Sequence, residues 1–364
     1  MTRDEEEAAL MNHHTEAQQV SCVRNRLPTG PVQQLFLAAI LLLSWSSTAR
    51  ACNIPVFRYA LERWNTDQTE IIVFSAGALT NEESLFVSQL QQKSAAAGGP
   101  SNSRVIPVAV TDGKTETEQQ LWESLRQSHE QLPLPFVVAR SRTGRNRIVN
   151  HWNASLRETM QSGLLHTSPA RREIVKRVLA GDAVVWLVLQ PDTDAASKAA
   201  ATACSMMLQE QCRVLSRKLE LPDGIGLPGS ELYSEVPLLL QFSVLEVSGK
   251  DPAERYLVEQ LAGFQQQAWD SGQPLVVPVF GRGRVLEVIP AADMSPQLMQ
   301  ELSSFLCGAC SCQVKEQNPG FDLLLDTPWN SLLFGDETQP PPPADGQKQQ
   351  SRPQLVPIPS GRRQ

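Results

Sequence analysis

The sequence predicts an α/β protein of two tandem lobes, each a mixed central sheet flanked by helices. Three observations lead there. Short β-branched and aromatic runs alternate with longer segments whose apolar residues recur at helical spacing. The order strand, helix, strand, helix, hairpin, helix occurs twice along the chain. The two hairpins also open alike, with Pro135-Phe136-Val137-Val138 in one half and Pro274-Leu275-Val276-Val277 in the other. A repeat of this length indicates duplicated domains, and 364 residues are enough for two cores.

Taken in order, Ile54–Trp64 reads as a short helix capped by Asn53, with Ile54, Phe57, Leu61 and Trp64 on one apolar face. It is expected to pack on the first lobe, with Arg58, Glu62 and Arg63 outside that face. Ile71–Phe74 is a buried strand. Thr80-Asn81-Glu82-Glu83 is a capping box opening a helix that turns Leu85, Phe86 and Leu90 inward. Val105–Val110 is a second strand, and Gln119–His129 a helix carrying Leu121, Trp122 and Leu125. Pro135–Ala139, the turn Thr143-Gly144 and Arg147–Val149 make a hairpin; Ala154–Leu165 and Arg171–Leu179 close the lobe. The second lobe repeats this with Val184–Leu189, Ala195–Leu219, Leu238–Val247, Pro252–Ala268, a hairpin over Pro274–Phe280 and Val285–Ile289, and Pro296–Leu306.

The ends of the chain read differently. Arg24 and Arg26 precede the apolar run Leu35–Leu43, which is followed by Ala49-Arg50-Ala51. A charged segment, a short apolar run and an A-x-A-type site form an export signal, and the run is well short of the roughly 20 residues that span a membrane. Residues 1–51 are therefore expected to be a leader, 52–181 the first lobe and 182–313 the second. Residues 314–335 are a docked segment, and 336–364 a disordered Pro/Gln-rich tail. Cleavage after Ala51 would expose Cys52, where ordinary processing and a lipid anchor both remain open, although Ala49 and Arg50 depart from the bacterial lipoprotein pattern. The expected destination is the periplasm or cell envelope. A net charge of −7 argues against nucleic acid as a partner.

Beyond the leader stand six cysteines: Cys52, Cys204, Cys212, Cys307, Cys310 and Cys312. An even number in an exported chain fits disulfides. Cys204 and Cys212 lie too far apart on one helix to bond each other, so they are either buried apolar residues or partners of other cysteines, including the C-terminal cluster. That cluster, Cys307-Gly308-Ala309-Cys310-Ser311-Cys312, allows three readings: disulfides, a metal site completed by a ligand such as Cys52, or redox chemistry.

The element order resembles the thioredoxin-like family, whose cis-proline before the hairpin strand matches Pro135 and Pro274. The resemblance implies a reactive Cys-x-x-Cys at the start of the first helix of each lobe. Here the matching loops are Ser75-Ala76-Gly77-Ala78-Leu79-Thr80 and Gln190-Pro191-Asp192-Thr193-Asp194, and neither holds a thiol. An oxidoreductase working by the family mechanism is therefore not expected.

Other motifs carry less. Gly224-Ile225-Gly226-Leu227-Pro228-Gly229 follows a polar stretch and contains Pro, so it reads as a loop. Arg140, Arg142, Arg145 and Arg147 cluster at the first hairpin and read as a solvated turn. His129, His151 and His166 show no metal spacing, and no serine sits in a nucleophile elbow. The reading is a non-catalytic exported binding or structural module with no cofactor, engaging an unidentified protein or envelope partner. The alternative is a thiol–disulfide or metal-binding protein using Cys307, Cys310 and Cys312.

Overall fold

Two mixed β-sheets, one of four strands and one of six, organise the chain. The computed structural model describes residues 53–94, 99–111, 114–128, 131–142, 148–165, 167–309, 315 and 320–335, all within one compact unit.

In the first sheet β1 (Thr69–Ser75) runs parallel to β2 (Ser103–Ala109) and antiparallel to β3 (Phe136–Arg142), which pairs with β4 (Ile148–Ser155). The order is β2-β1-β3-β4. Alternation along β1 sends Ile71 and Val73 to one face, Ile72 and Phe74 to the other. Helix α2 (Asn81–Lys93) covers the first face through Val87 and Leu90; α3 (Glu116–Ser128) covers the second through Leu121 and Leu125. The capping box at Thr80 forms as the sequence predicts. Leu85, expected inward, is 61% exposed, and Val87 takes its place. The helix predicted from Ala154 starts at Leu156 (α4, Leu156–Ser162), because Ala154 and Ser155 finish β4 and the Ser155 hydroxyl caps the helix by accepting from the Glu158 amide. It ends where Gly163 takes φ +63°, a conformation that suits glycine.

After α5 (Pro169–Leu179) the order repeats. In the second sheet β5 (Asp182–Gln190) is parallel to β6 (Gln241–Ser248) and antiparallel to β7 (Leu275–Phe280). β7 pairs with two short strands, β8 (Arg284–Val285) and β9 (Ile289–Pro290), so the predicted continuous partner over Val285–Ile289 is split. β10 (Phe321–Asp322) pairs with β8 and extends the sheet to β6-β5-β7-β8-β10. Helices α6 (Ala195–Lys218) and α9 (Pro296–Cys307) pack on one face, and α5 and α7 (Arg255–Ala262) on the other. The helix predicted over Pro252–Ala268 is broken after Ala262 and resumes as α8 (Gln266–Asp270). The break brings Phe264 flat onto Phe321, with ring centroids 4.1 Å apart. Among the described residues no helix is long and apolar enough to cross a membrane.

The N-terminal helix α1 (Val56–Arg63) packs on the second sheet, not on the first as its position in the chain suggests. Val56, Phe57, Ala60 and Trp64 join Trp186, Phe280 and Leu302 in one apolar cluster. Arg58 and Glu62, expected outside its apolar face, are completely buried and bonded to each other at 2.8 Å. Arg58 donates to the carbonyls of Ser234 and Val236, and Glu62 accepts from the amides of Tyr233 and Ser234. These backbone groups on the segment entering β6 have no other strand to pair with, which explains why a charged pair is buried there.

The segment after β10 ties the sheets together. Leu324 lies in the core of the first sheet, while Leu323 and Leu325 lie in that of the second. At about 2 kcal/mol for each fully buried leucine, the contribution is substantial. Asn102 accepts from the Leu325 amide at 2.8 Å and donates to the carbonyls of Leu323 and Asp67. Asn102→Ala would leave these buried groups unpaired, and we expect a loss of roughly 2–3 kcal/mol in urea unfolding, with an unchanged midpoint refuting the clamp.

Candidate functional site

The two loops that the thioredoxin resemblance singles out occupy equivalent places. Each follows the central strand of its sheet and leads into a helix: Ser75–Thr80 between β1 and α2, Gln190–Asp194 between β5 and α6. The pair Phe74–Phe136 puts Pro135 one residue further along, beside Ser75; Leu189–Leu275 does the same for Pro274 and Gln190. Pro135 accepts from the Leu156 amide and Pro274 from the Ala291 amide, both at 2.8 Å. The Leu134–Pro135 peptide is cis. The Pro274 peptide is not, so that feature of the resemblance is confined to the first half. Ala76, Gly77 and Ala78 are exposed, and neither loop holds a nucleophilic thiol. Asp192 adopts φ +55° and accepts from the Ser248 hydroxyl at 2.6 Å; Asp194 caps α6 through the Ser197 amide.

The cysteines divide. Cys204, Cys212 and Cys307 are free thiols buried in the single apolar cluster between α6, α9 and β5. A bond from Cys204 or Cys212 to Cys307 is therefore absent. Burial pushes the Cys204 thiol up to about 11, and those of Cys212 and Cys307 up to about 12. Cys52, Cys310 and Cys312 lie outside the described residues. Among the described residues no three His, Cys, Asp or Glu side chains gather as a metal site. Arg140, expected at a solvated turn, is buried and bonds Glu70 across β1 and β3 at 2.5 Å. Arg145, Arg147, His129 and His166 lie outside the described residues. The segment Gly224–Gly229 is a turn-rich loop, as its composition predicts.

Comparison with protein-family models, curated proteins and solved structures finds no match for this chain.

The polar chemistry of the interior collects elsewhere, at the joint between the sheets. Arg171, in the first turn of α5, donates to the carbonyls of Leu164 and Leu324, from opposite ends of the fold, and to the Ser168 hydroxyl. Its guanidinium also lies over the Tyr256 ring at 5.1 Å. Desolvation lowers its pKa to about 10, opposed by Tyr256, Glu254 and Asp326. Glu254 accepts from the Ala170 amide at 2.6 Å, placing a carboxylate at the positive end of α5. On the other side of the joint, His151 of β4 meets the Tyr256 hydroxyl at 3.0 Å.

A second knot holds the turn between α1 and β1. Arg284 bonds both Asp67 and Asp322, and Lys315 reaches the same two carboxylates. Two cations against two carboxylates leave no net charge, which is the arrangement of a structural network. Nearby, Arg282 donates to the carbonyls of Leu61 and Glu62 and satisfies the C-terminal end of α1.

Sequence reasoning missed Arg171, Tyr256, Glu254 and Asp67, because a buried charge looks like any surface charge in a string of letters. His151 did leave a signal. Val149, His151, Trp152 and Ala154 break the alternation of a strand, and two adjacent large inward residues mark a bulge.

Two outcomes follow from this geometry. At pH 8 the thiolate fractions of Cys204, Cys212 and Cys307 sit at least about 100-fold below that of an exposed thiol. Labelling by an aromatic disulfide reagent should therefore be slower by at least that factor until denaturant is added, and fast native labelling of any of the three would contradict their burial. Arg171→Lys, whose ammonium cannot fork to two distant carbonyls, should cost about 3 kcal/mol in denaturant unfolding; a loss under 1 kcal/mol would mean that the fork is unimportant.

Proposed function

We propose that this chain is a non-catalytic exported binding or structural module of the cell envelope, built from two thioredoxin-like lobes. One observation carries the reading. The two equivalent loops at the ends of the central strands are present, exposed in the first half, and without a thiol. The shared strand order of the two sheets and the matched hydrogen bonds at Pro135 and Pro274 support a duplicated lobe. The buried thiols with raised pKa values argue against redox exchange at Cys204, Cys212 and Cys307.

Export and a disulfide belong to the same reading. Pro55 and Ala309 form an antiparallel bridge, and the Val56 amide donates to the Gly308 carbonyl at 3.0 Å. Cys52 and Cys310 are close in sequence to these bridged residues. That adjacency supports a bond from Cys52 to Cys310 or Cys312, formed by oxidation of two thiols in an oxidising compartment.

The deciding experiment is a thiol titration with metal analysis and non-reducing peptide mapping on protein exported by its own leader. Cys204, Cys212 and Cys307 should appear as thiols only on unfolding, with Cys52 linked to Cys310 or Cys312 and no stoichiometric metal. The purified protein should also fail to accelerate reduction of a model disulfide. Bound zinc, or rapid exchange at the C-terminal cysteines, would replace this reading with the thiol or metal one.

A further inference from the structure

His151 sits at an irregularity in the first sheet. Ala139 pairs with Trp152 and Arg140 with Asn150, so the ladder passes over His151. It is the extra residue of a bulge, and the bulge turns its side chain out of the regular alternation and into the joint. There it is 7% exposed. Its ring meets Tyr256 of α7 edge-on, with centroids 5.7 Å apart, and Nε2 lies 3.0 Å from the Tyr256 hydroxyl. Nδ1 is buried with no partner at hydrogen-bond distance, and the Val149 carbonyl is the acceptor that acts on the ring. Gly263, at the end of α7, lies beside it, where an added Cβ would stand in ordinary contact, 3.6 Å from the His151 Cβ.

We propose that His151 is an acid-sensitive latch between the two sheets: neutral, it closes the joint of β4 on α7, and when protonated it releases that joint. The geometry carries the argument. A second proton on the imidazole would place a cation in a buried contact with no carboxylate bonded to it. The charged groups around the joint do not help. From α5, Arg171 lies over the same Tyr256 ring and is itself a cation. Glu254, from the turn before α7, takes the Ala170 amide on Oε1 while its buried Oε2 has no hydrogen-bond partner, and neither oxygen bonds the imidazole. At the rim Arg255 of α7 already holds Glu158 of α4 and Glu259. On the neighbouring strand Arg140 is paired with Glu70.

Burial lowers the His151 pKa to about 4, opposed only by the Val149 carbonyl, against 6.5 for a free imidazole. The sign follows from linkage. Above pH 6.5 the imidazole is neutral in both the closed and opened joint, and the latch is fully engaged. As pH falls from 6.5 towards 4, only the opened joint takes up the proton, so opening gains ground throughout that window. At pH 5 the opening equilibrium should be favoured by about 20-fold relative to pH 7.

Amide hydrogen exchange on the full chain at pH 7 and pH 5, corrected for intrinsic rates, tests this. Peptides from Ile148–Ser155 and Arg255–Ala262 should open about 20-fold more at pH 5, while Asp182–Gln190 changes by less than threefold. In His151→Gln, whose amide can still bond Tyr256 but cannot titrate, the pH effect at the joint should fall below threefold. Unchanged exchange at the joint in the wild type, or the same acid opening in the variant, overturns the latch. Should that variant not fold, the imidazole resonance of His151 in the wild type decides. A titration near 6.5 in the native protein refutes the proposal, and silence above pH 5 supports it.

Discussion

Arg171 is the constraint on which the joint depends. A guanidinium taken out of water costs several kcal/mol unless its donors are met, and no carboxylate bonds it directly. Its donors are met instead by carbonyls of Leu164 and Leu324, which are more than 150 residues apart in the chain, and by the hydroxyl that caps its own helix. Those carbonyls have no ladder partner, because one lies in the turn after α4 and the other in the segment crossing between sheets. Cation and carbonyls therefore solve each other's problem. Because the guanidinium is flat and forked, it also fixes where the three segments stand relative to Tyr256.

The two halves share a strand order and differ in their fourth strand. In the first sheet β4 is a full strand, and its bulge lends His151 to the joint. In the second the equivalent hairpin is reduced to β8 and β9, with Gly281 and Gly283 at its turn in the left-handed region. Gly281 lies against α1, where a Cβ would stand 2.7 Å from that of Ala60. The short hairpin would leave an open sheet edge, and β10 covers it. The C-terminal segment thus completes the second sheet and reaches the core of the first through Leu324. The difference between the halves is what allows them to join without sharing strands.

Strands and helices were legible wherever periodicity was clean. The all-buried run of β5, the capping box of α2 and the helix opening at Pro296 follow directly from their residues. What sequence could not yield was decided by distant partners. The choice of α1 to pack on the second sheet depends on Arg58 and Glu62 meeting backbone groups near Ser234, some 170 residues on. The break after Ala262 depends on Phe264 finding Phe321. Leu85 and Val87 differ by two positions on an amphipathic helix, and only the position of the sheet below settles which is inward. The site was legible as an absence, in two loops without thiols. The polar joint was not, since its members are scattered from His151 to Leu324.

The absence at those loops extends beyond the missing residues. A thiol enzyme uses the unpaired amides and positive end of a helix to hold a thiolate. Here each helix start already has an amide capped by its own side chains. At α2 the Thr80 hydroxyl accepts from the Glu83 amide while the Glu83 carboxylate accepts from the Thr80 amide. At α6 the Asp194 carboxylate accepts from the Ser197 amide, and Asp192 stands two residues before it. Carboxylates at both helix starts favour the helices and oppose any further negative charge. A cysteine placed in either loop would meet a capped amide and a neighbouring carboxylate, both of which keep a thiol protonated. In both halves the loop ends as a capped helix start that stabilises the fold.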